Sequence, residues 1–262
     1  MGAFDLTGRK VLVTGGAQGL GEGMARALTA AGASVVIADV AKDLGEQTAA
    51  SVGAGFVALD VTDDAGWETA IGQVISELGG LDVVVNNAGL EVTQLLVDTE
   101  PDDVRRLLEV NLIGTMLGIK HAFRAMRPGG PAGGGGAVIN VSSVAATIAF
   151  PSIGAYSATK SGVDRLTRIA AAESGKLGYG VRVNCVYPGL IPTAMGQKLA
   201  VETAGLGLFG SPEEAVGAVV ELTPSGRLGE VSDIADAVVF LASDASRFVN
   251  GAGLPVDGGM GM

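Results

Sequence analysis

Lys10-Val11-Leu12-Val13-Thr14-Gly15-Gly16-Ala17-Gln18-Gly19-Leu20-Gly21 (KVLVTGGAQGLG) runs from a β-branched apolar stretch, through a cluster of glycines, into a segment with helical spacing. Short apolar runs without alternation predict strands buried on both faces, the mark of a parallel sheet. Glycines at 15, 19 and 21 let the backbone turn sharply and come close to a ligand. The free N–H groups at the start of the following helix then face a pyrophosphate. In a chain with 42 glycines among 262 residues such a cluster alone is a weak signal. The context strengthens it, because an acid, Asp39, ends the second apolar run, Ser34–Asp39 (SVVIAD). It lies about 20 residues past the turn, the spacing expected of a carboxylate that accepts adenosine ribose hydroxyls.

The same rhythm continues outward. Apolar runs at Gly55–Leu59, Asp82–Asn86 (DVVVN), Ala137–Val141, Val181–Val186 and Gly253–Val256 predict further strands. Helical segments are expected at Leu20–Ala31, Lys42–Val52, Asp64–Leu78, Asp102–Met126 and Ala155–Lys176. Repeated β-α alternation predicts an α/β fold, a doubly wound, Rossmann-type parallel sheet of about seven strands with helices on both faces. No linker divides residues 1–262, so a single domain is expected. Pro128–Gly136 (PGGPAGGGG) reads as a surface loop. Residues 190–227 break the rhythm. Within them Ser211-Pro212-Glu213-Glu214 carries a capping serine, a first-turn proline and a glutamate three residues after the cap, so a helix starts there. A long excursion after a strand's carboxyl end is expected to be a mobile lid over a substrate.

Composition excludes several classes. Hydrophobic residues are 48% and charged residues 17%, which is not a disordered chain. A net charge of −11 disfavours nucleic acid and anionic lipid as partners. One cysteine, Cys185, excludes an internal disulfide, and one histidine, His121, excludes a His-rich metal site, so no metal is expected. Met1–Thr7 matches neither a secretory signal nor a myristoylation pattern, and no apolar run reaches about 18 residues. A cytoplasmic protein without a membrane partner is expected.

The chemistry is carried by Ser143, Tyr156 and Lys160. Tyr156-Ser157-Ala158-Thr159-Lys160 places a phenol and an ammonium one turn apart on a helix face. Ser143 ends the fifth strand, where doubly wound sheets bind ligands. A free phenol titrates near 10, too high for a base at neutral pH, and a neighbouring lysine is expected to lower it. The phenol can then move a proton to or from a substrate oxygen that Ser143 holds, while hydride passes at a nicotinamide. Asp39 repels a 2′-phosphate, Gln18 in the turn is neutral and Lys42 belongs to the next helix, so the expected cofactor is NAD(H).

With these residues in order, the chain resembles the short-chain dehydrogenases/reductases. The likeness runs from TGGAQGLG at 14–21 through Asp60-Val61, NNAG at 86–89, Asn111, Val141-Ser142-Ser143, YSATK at 156–160 and Pro188-Gly189 with Thr193 to Val256-Asp257-Gly258-Gly259. The resemblance implies that Asn111 completes a catalytic tetrad, holding a helix kink and a water that links Lys160 to solvent. It also implies a cofactor cradle of Gly15, Gln18, Gly19, Leu20 and Gly21, with Asp39 and Val40 at the ribose and Asp60 and Val61 at the adenine. Asn87, Ala88, Gly89 and Val141 would line the middle, and Pro188, Gly189, Ile191 and Thr193 would clasp the nicotinamide end. Tyr156 and Lys160 would reach the nicotinamide ribose. It further implies a homotetramer, joined through helices rich in small residues such as Gly114, Gly118, Gly162 and Ala170.

Ala145, Phe150, Ile153, Leu190 and Met195 are expected to line the substrate pocket, with Ile148 adding to its apolar character. The expected partner is therefore a hydrophobic secondary alcohol or its ketone: cyclic, aryl-alkyl or steroid-like. The alternative is a non-catalytic NAD(H)-binding redox sensor. Members of that kind usually lose the tyrosine or lysine, as halide-releasing lyase relatives lose the lysine, and this chain keeps both. Three other residues read as structural: His121 as a satisfied or exposed helix residue, Cys185 as a buried inert thiol and Trp67 as helix packing or a surface residue. Glu91 follows the NNAG segment near the substrate and could contact it, but reads first as a solvated rim carboxylate.

Overall fold

The computed structural model describes every residue except Met1 and Ala3, so the N-terminal reading above lies partly outside the described residues. Its strands are β1 (Lys10–Thr14), β2 (Ser34–Asp39), β3 (Gly55–Ala58), β4 (Val83–Asn86), β5 (Gly136–Val141), β6 (Val181–Pro188) and β7 (Gly253–Val256). All pair in parallel, in the order β3-β2-β1-β4-β5-β6-β7. Successive residues of each strand feed opposite faces. Val11, Val13, Ile37, Val85 and Ile139 meet Met24 and Leu28 of α1 (Gly19–Ala30) and, from further along the chain, Ile234 and Val238. Leu12, Val36, Val84 and Val138 on the other face meet Trp67 and Val74 of α3 (Asp64–Leu78). Both faces are covered, which is why the strand sequences show no polar alternation.

Between α1 and α3 lies α2 (Lys42–Val52). The segment expected as one helix from Asp102 to Met126 is three pieces: α4 (Pro101–Leu107), a π-helical stretch Leu108–Ile113, and α5 (Gly114–Met126). Asn111, inside the π stretch, turns its side chain onto the backbone of Leu90 in both directions. Its Oδ1 accepts from Leu90 N at 2.9 Å and its Nδ2 donates to Leu90 O at 2.9 Å. Thr115 Oγ1 donates to the Asn111 carbonyl at 2.8 Å, serving an acceptor in the wider turn. Such insertions are frequent beside functional sites.

After β5 come α6 (Gly154–Leu177), then α7 (Ala194–Gly205) and α8 (Pro212–Glu221) within the rhythm-breaking segment, and α9 (Val231–Ala242) before β7. The sequence reading had neither α7 nor α9. Parallel pairing of β6 with β7 demands a crossover, which α9 supplies on the face that α1 also covers. The capping signals at α8 hold in part. Ser211 Oγ accepts from Glu214 N at 3.2 Å, but the Glu214 carboxylate accepts from Gly210 N at 2.8 Å, one residue short of the expected return bond.

The small residues expected to join subunits pack within the chain instead. A Cβ on Gly114 would stand 2.8 Å from Val61, one on Gly118 2.0 Å from Asn86 Oδ1, and one on Gly162 3.0 Å from Leu112. Behind Gly118 a buried polar chain crosses the sheet, with Asn86 Nδ2 donating to Asn140 Oδ1 and Asn140 Nδ2 to Thr167 Oγ1, each at 2.8 Å. Trp67 is buried with its Nε1 on Val61 O at 2.9 Å, and His121 stacks on it with Nε2 2.7 Å from Asp64 Oδ1. Burial pushes the Cys185 thiol up to about 11. Among the described residues no helix is long and apolar enough to cross a membrane.

Candidate active site

Strand order reverses between β1 and β4, and at the carboxyl ends of the strands a cleft of about 610 Å³ opens. Each loop that follows a strand contributes to it. Gly15, Gln18, Gly19, Leu20 and Gly21 come from the turn after β1, Asp39 and Val40 from the end of β2, and Asp60 and Val61 from beyond β3. Asn87, Ala88 and Gly89 follow β4, Val141 ends β5, and Pro188, Gly189, Ile191 and Thr193 lie at the end of β6 and beyond.

The turn after β1 fits a dinucleotide. Gly15 and Gly19 both have φ +61°, and a Cβ on Gly15 would come 2.8 Å from Ala88 Cα, so only glycine allows this approach. Gln18 caps α1 in an extended conformation without a side-chain hydrogen bond, leaving first-turn N–H groups for an anion. Asn87 pins the turn by donating Nδ2 to Thr14 O at 2.9 Å and Gly15 O at 3.0 Å. The Asp39 carboxylate is held by Ala17 N at 3.0 Å and Ala41 N at 2.9 Å. Lys42 reaches along α2 toward Glu46, 4.0 Å away, and is not in the cleft wall.

Ser143, Tyr156 and Lys160 stand together on the cleft. Ser143 caps a short 3-10 turn, its Oγ accepting from Ala145 N at 3.1 Å. Lys160 is buried, donates Nζ to Val141 O at 2.9 Å and lies 5.6 Å from the centre of the Tyr156 ring. Burial lowers its pKa to about 8. The expected depression of the phenol by Lys160 is not what the structure shows. Burial raises Tyr156 to about 12, the Ser143 hydroxyl opposes the rise and the negative Glu91 adds to it. Desolvation outweighs the hydrogen bond from Ser143. At neutral pH the phenol therefore keeps its proton and is poised as an acid. Asn111 is buried behind the cleft rather than on it, with Nδ2 also donating to Thr159 Oγ1 at 3.1 Å. Thr159 Oγ1 in turn donates to the Tyr156 carbonyl at 2.7 Å, so Asn111 positions the turn that carries the phenol.

Beyond the phenol the cleft turns apolar. Ala145, Ile148, Phe150, Ile153, Leu190 and Met195 line it, together with Leu199 of α7, Val219 of α8 and Met260. Phe150 stacks on Phe209 at 6.5 Å, tying the loop before α6 to the segment between α7 and α8. In that loop Ser152 holds φ +74°, kept there as its carbonyl accepts from Gln94 N at 2.7 Å.

Glu91 overturns its reading as a solvated rim group. It is buried in the cleft wall, and burial raises its pKa. Nothing local in the sequence announces this, and the Lys198 ammonium beside it comes from α7, distant in the sequence. An apolar pocket, a protonated phenol, a serine hydroxyl and a dinucleotide cradle in one cleft can bind a carbonyl and protonate its oxygen.

A family model described as Enoyl-(Acyl carrier protein) reductase matches residues 15–261. The chain is 39% identical to trans-4-hydroxycyclohexanecarboxylate dehydrogenase of Sinomonas cyclohexanicum, over 97% of this chain and 94% of that protein. It is 37% identical to the NADP-dependent (R)-specific alcohol dehydrogenase of Lentilactobacillus kefiri, over 97% of each. Among solved structures, 3-ketoacyl-(acyl-carrier-protein) reductase from Brucella melitensis complexed with NADH superposes with a TM-score of 0.88 at 30% identity, covering 98% of this chain and 100% of that one.

Proposed function

Because the chain belongs to the short-chain dehydrogenase/reductase family, we propose that it interconverts a hydrophobic, ring-sized secondary alcohol and its ketone with NAD(H). The observation that carries this reading is the group of Ser143, Tyr156 and Lys160, set where the dinucleotide half of the cleft meets its apolar half. The dinucleotide, when bound, supplies or accepts the hydride. Ser143 holds the substrate oxygen. Tyr156 gives its proton to that oxygen as the carbonyl carbon takes hydride, and reclaims it in the reverse direction. Lys160 would hold the cofactor ribose and keeps a charge one turn from the phenol.

Asp39 supports NAD(H) over NADP(H): its carboxylate is fixed by two backbone N–H groups at the place where a 2′-phosphate would need a cation. The relative from Lentilactobacillus kefiri is named as NADP-dependent, so family membership alone does not set the cofactor. A redox sensor of the same fold finds no support, since Tyr156 and Lys160 are both present and both on the cleft. Residues 190–227 supply one wall of the substrate half, and their helices act as its lid. The active form is a homotetramer. The deciding experiment follows NADH oxidation, with NADPH run beside it, across cyclic, aryl-alkyl and steroid ketones. Turnover of none of them removes this reading, and faster turnover with NADPH removes the cofactor assignment.

A further inference from the structure

Trp67 is the chain's one tryptophan and has no exposed surface. Its indole N–H serves the cleft from behind. Strand order sets the direction in which a dinucleotide must lie. With its phosphates at the turn after β1 and its reacting end at Ser143 and Tyr156, on the β5 side, its other nucleoside extends the opposite way, across the carboxyl ends of β2 and β3. That end of the cleft is walled by Asp39, Leu59, Asp60 and Val61, and by Val110 of the π stretch.

The wall beyond β3 is a single turn. Asp60 is fixed within it: its carboxylate accepts from Thr62 N at 2.9 Å and Thr62 Oγ1 at 2.8 Å, and its carbonyl from Asp63 N at 3.0 Å. The Val61 carbonyl has no such local partner. Among the described residues the one donor it meets is Trp67 Nε1, at 2.9 Å. Gly114 closes the space on another side, since a Cβ there would stand 2.8 Å from Val61 Cγ2 and 3.4 Å from the same carbonyl oxygen. The indole is itself locked. His121 of α5 lies nearly parallel to it, with 6.2 Å between ring centres. His121 Nε2 stands 2.7 Å from Asp64 Oδ1, in the first turn of the helix that carries Trp67. A buried carbonyl needs a donor, so an indole N–H held in this way dictates the orientation of the peptide plane after Val61. Any large ring would serve the packing; the N–H is what a phenyl ring would not bring.

We infer that Trp67 is a positioning residue for the dinucleotide: through Val61 O its indole N–H holds the wall on which the adenosine half rests. This rests on the dinucleotide reading above and not on which ketone is reduced.

Calorimetry with NADH and with ADP-ribose, which keeps the adenosine and both phosphates but lacks the nicotinamide, tests this in the wild-type protein and in Trp67→Phe, which keeps a ring and removes the donor. Both dissociation constants should rise about tenfold in the variant, while kcat at saturating NADH stays within about twofold of wild type. Gly114→Ala presses on Val61 from the other side and should weaken ADP-ribose about threefold or more, which decides the question if Trp67→Phe does not fold. A Trp67 that only packs the core would lower the denaturation midpoint and leave both dissociation constants unchanged, which overturns the proposal. A fall in kcat as large as the loss of affinity also overturns it, since the disturbance would then reach Tyr156. Wild-type protein that binds ADP-ribose but reduces no ketone defeats the oxidoreductase reading alone, and the two dissociation constants still decide the role of Trp67. Wild-type protein that binds neither ligand defeats the dinucleotide reading and this inference with it.

Discussion

Tyr156 and Lys160 share one face of α6, yet burial moves them in opposite directions, the phenol up to about 12 and the ammonium down to about 8. Their substitutions should therefore fail differently. Tyr156→Phe removes the transferable proton, so kcat should fall about 10²-fold or more while NADH binding, followed by fluorescence, stays near normal. Lys160→Ala should weaken both. The pH dependence has a definite sign: Lys160 is charged below about 8 and neutral above it, so ketone reduction should decline as pH rises through about 8, with Tyr156 still protonated. A reduction rate that is flat across this range would remove Lys160 from the chemistry. Asp39→Ala combined with a neighbouring arginine should raise relative NADPH use at least tenfold, about 1.4 kcal/mol. A steady-state cofactor comparison reads this directly. Most of these residues were legible in the sequence because strand, glycine turn and Y-x-x-x-K spacing are local patterns. The upward shift of the phenol and the burial of Glu91 were not, because each depends on what segments distant in sequence lay over it.

At the scale of elements, α5 lies close to β4 because Gly118 has no side chain. A Cβ there would sit 2.0 Å from Asn86 Oδ1, inside the buried chain through Asn140 to Thr167. Gly118→Val should cost about 1–3 kcal/mol by overpacking, seen as a lower midpoint in denaturant with little change in slope. The strands were readable because each is a continuous β-branched run. The break in the expected helix from Asp102 to Met126 was not, since the π turn owes its geometry to Asn111 binding Leu90 from another loop. Likewise α7 has no strong start signal of its own beyond Thr193, whose Oγ1 accepts from Gly196 N at 3.4 Å. As a lid, residues 190–222 should show slower amide hydrogen exchange once NADH and a ketone analogue are added. Unchanged exchange there would mark a fixed wall rather than a lid.

Across the whole molecule, the outer faces of the π stretch, α5 and α6 leave Leu108, Ile113, Met116 and Ile169 exposed, although the glycines on these helices are spent inside the chain. Large apolar groups concentrated on adjacent helices suit a self-complementary contact closed by symmetry. Light scattering should give a mass about four times the 26.1 kDa of one chain. A mass of one chain at micromolar concentration would remove the tetramer. The sheet order carries one more consequence, which concerns time. β1 is made early but lies in the middle of the sheet, and its second neighbour, β4, pairs Val83 with Val11 only after α1, β2, α2, β3 and α3 have been made. No strand pair here can form as a hairpin. During synthesis or refolding, then, β1 waits with an open edge and two apolar faces, the kind of species that adheres to its own copies. For this chain the hazardous interval is the wait for Val83, and chain concentration during that wait governs how much protein reaches the folded state.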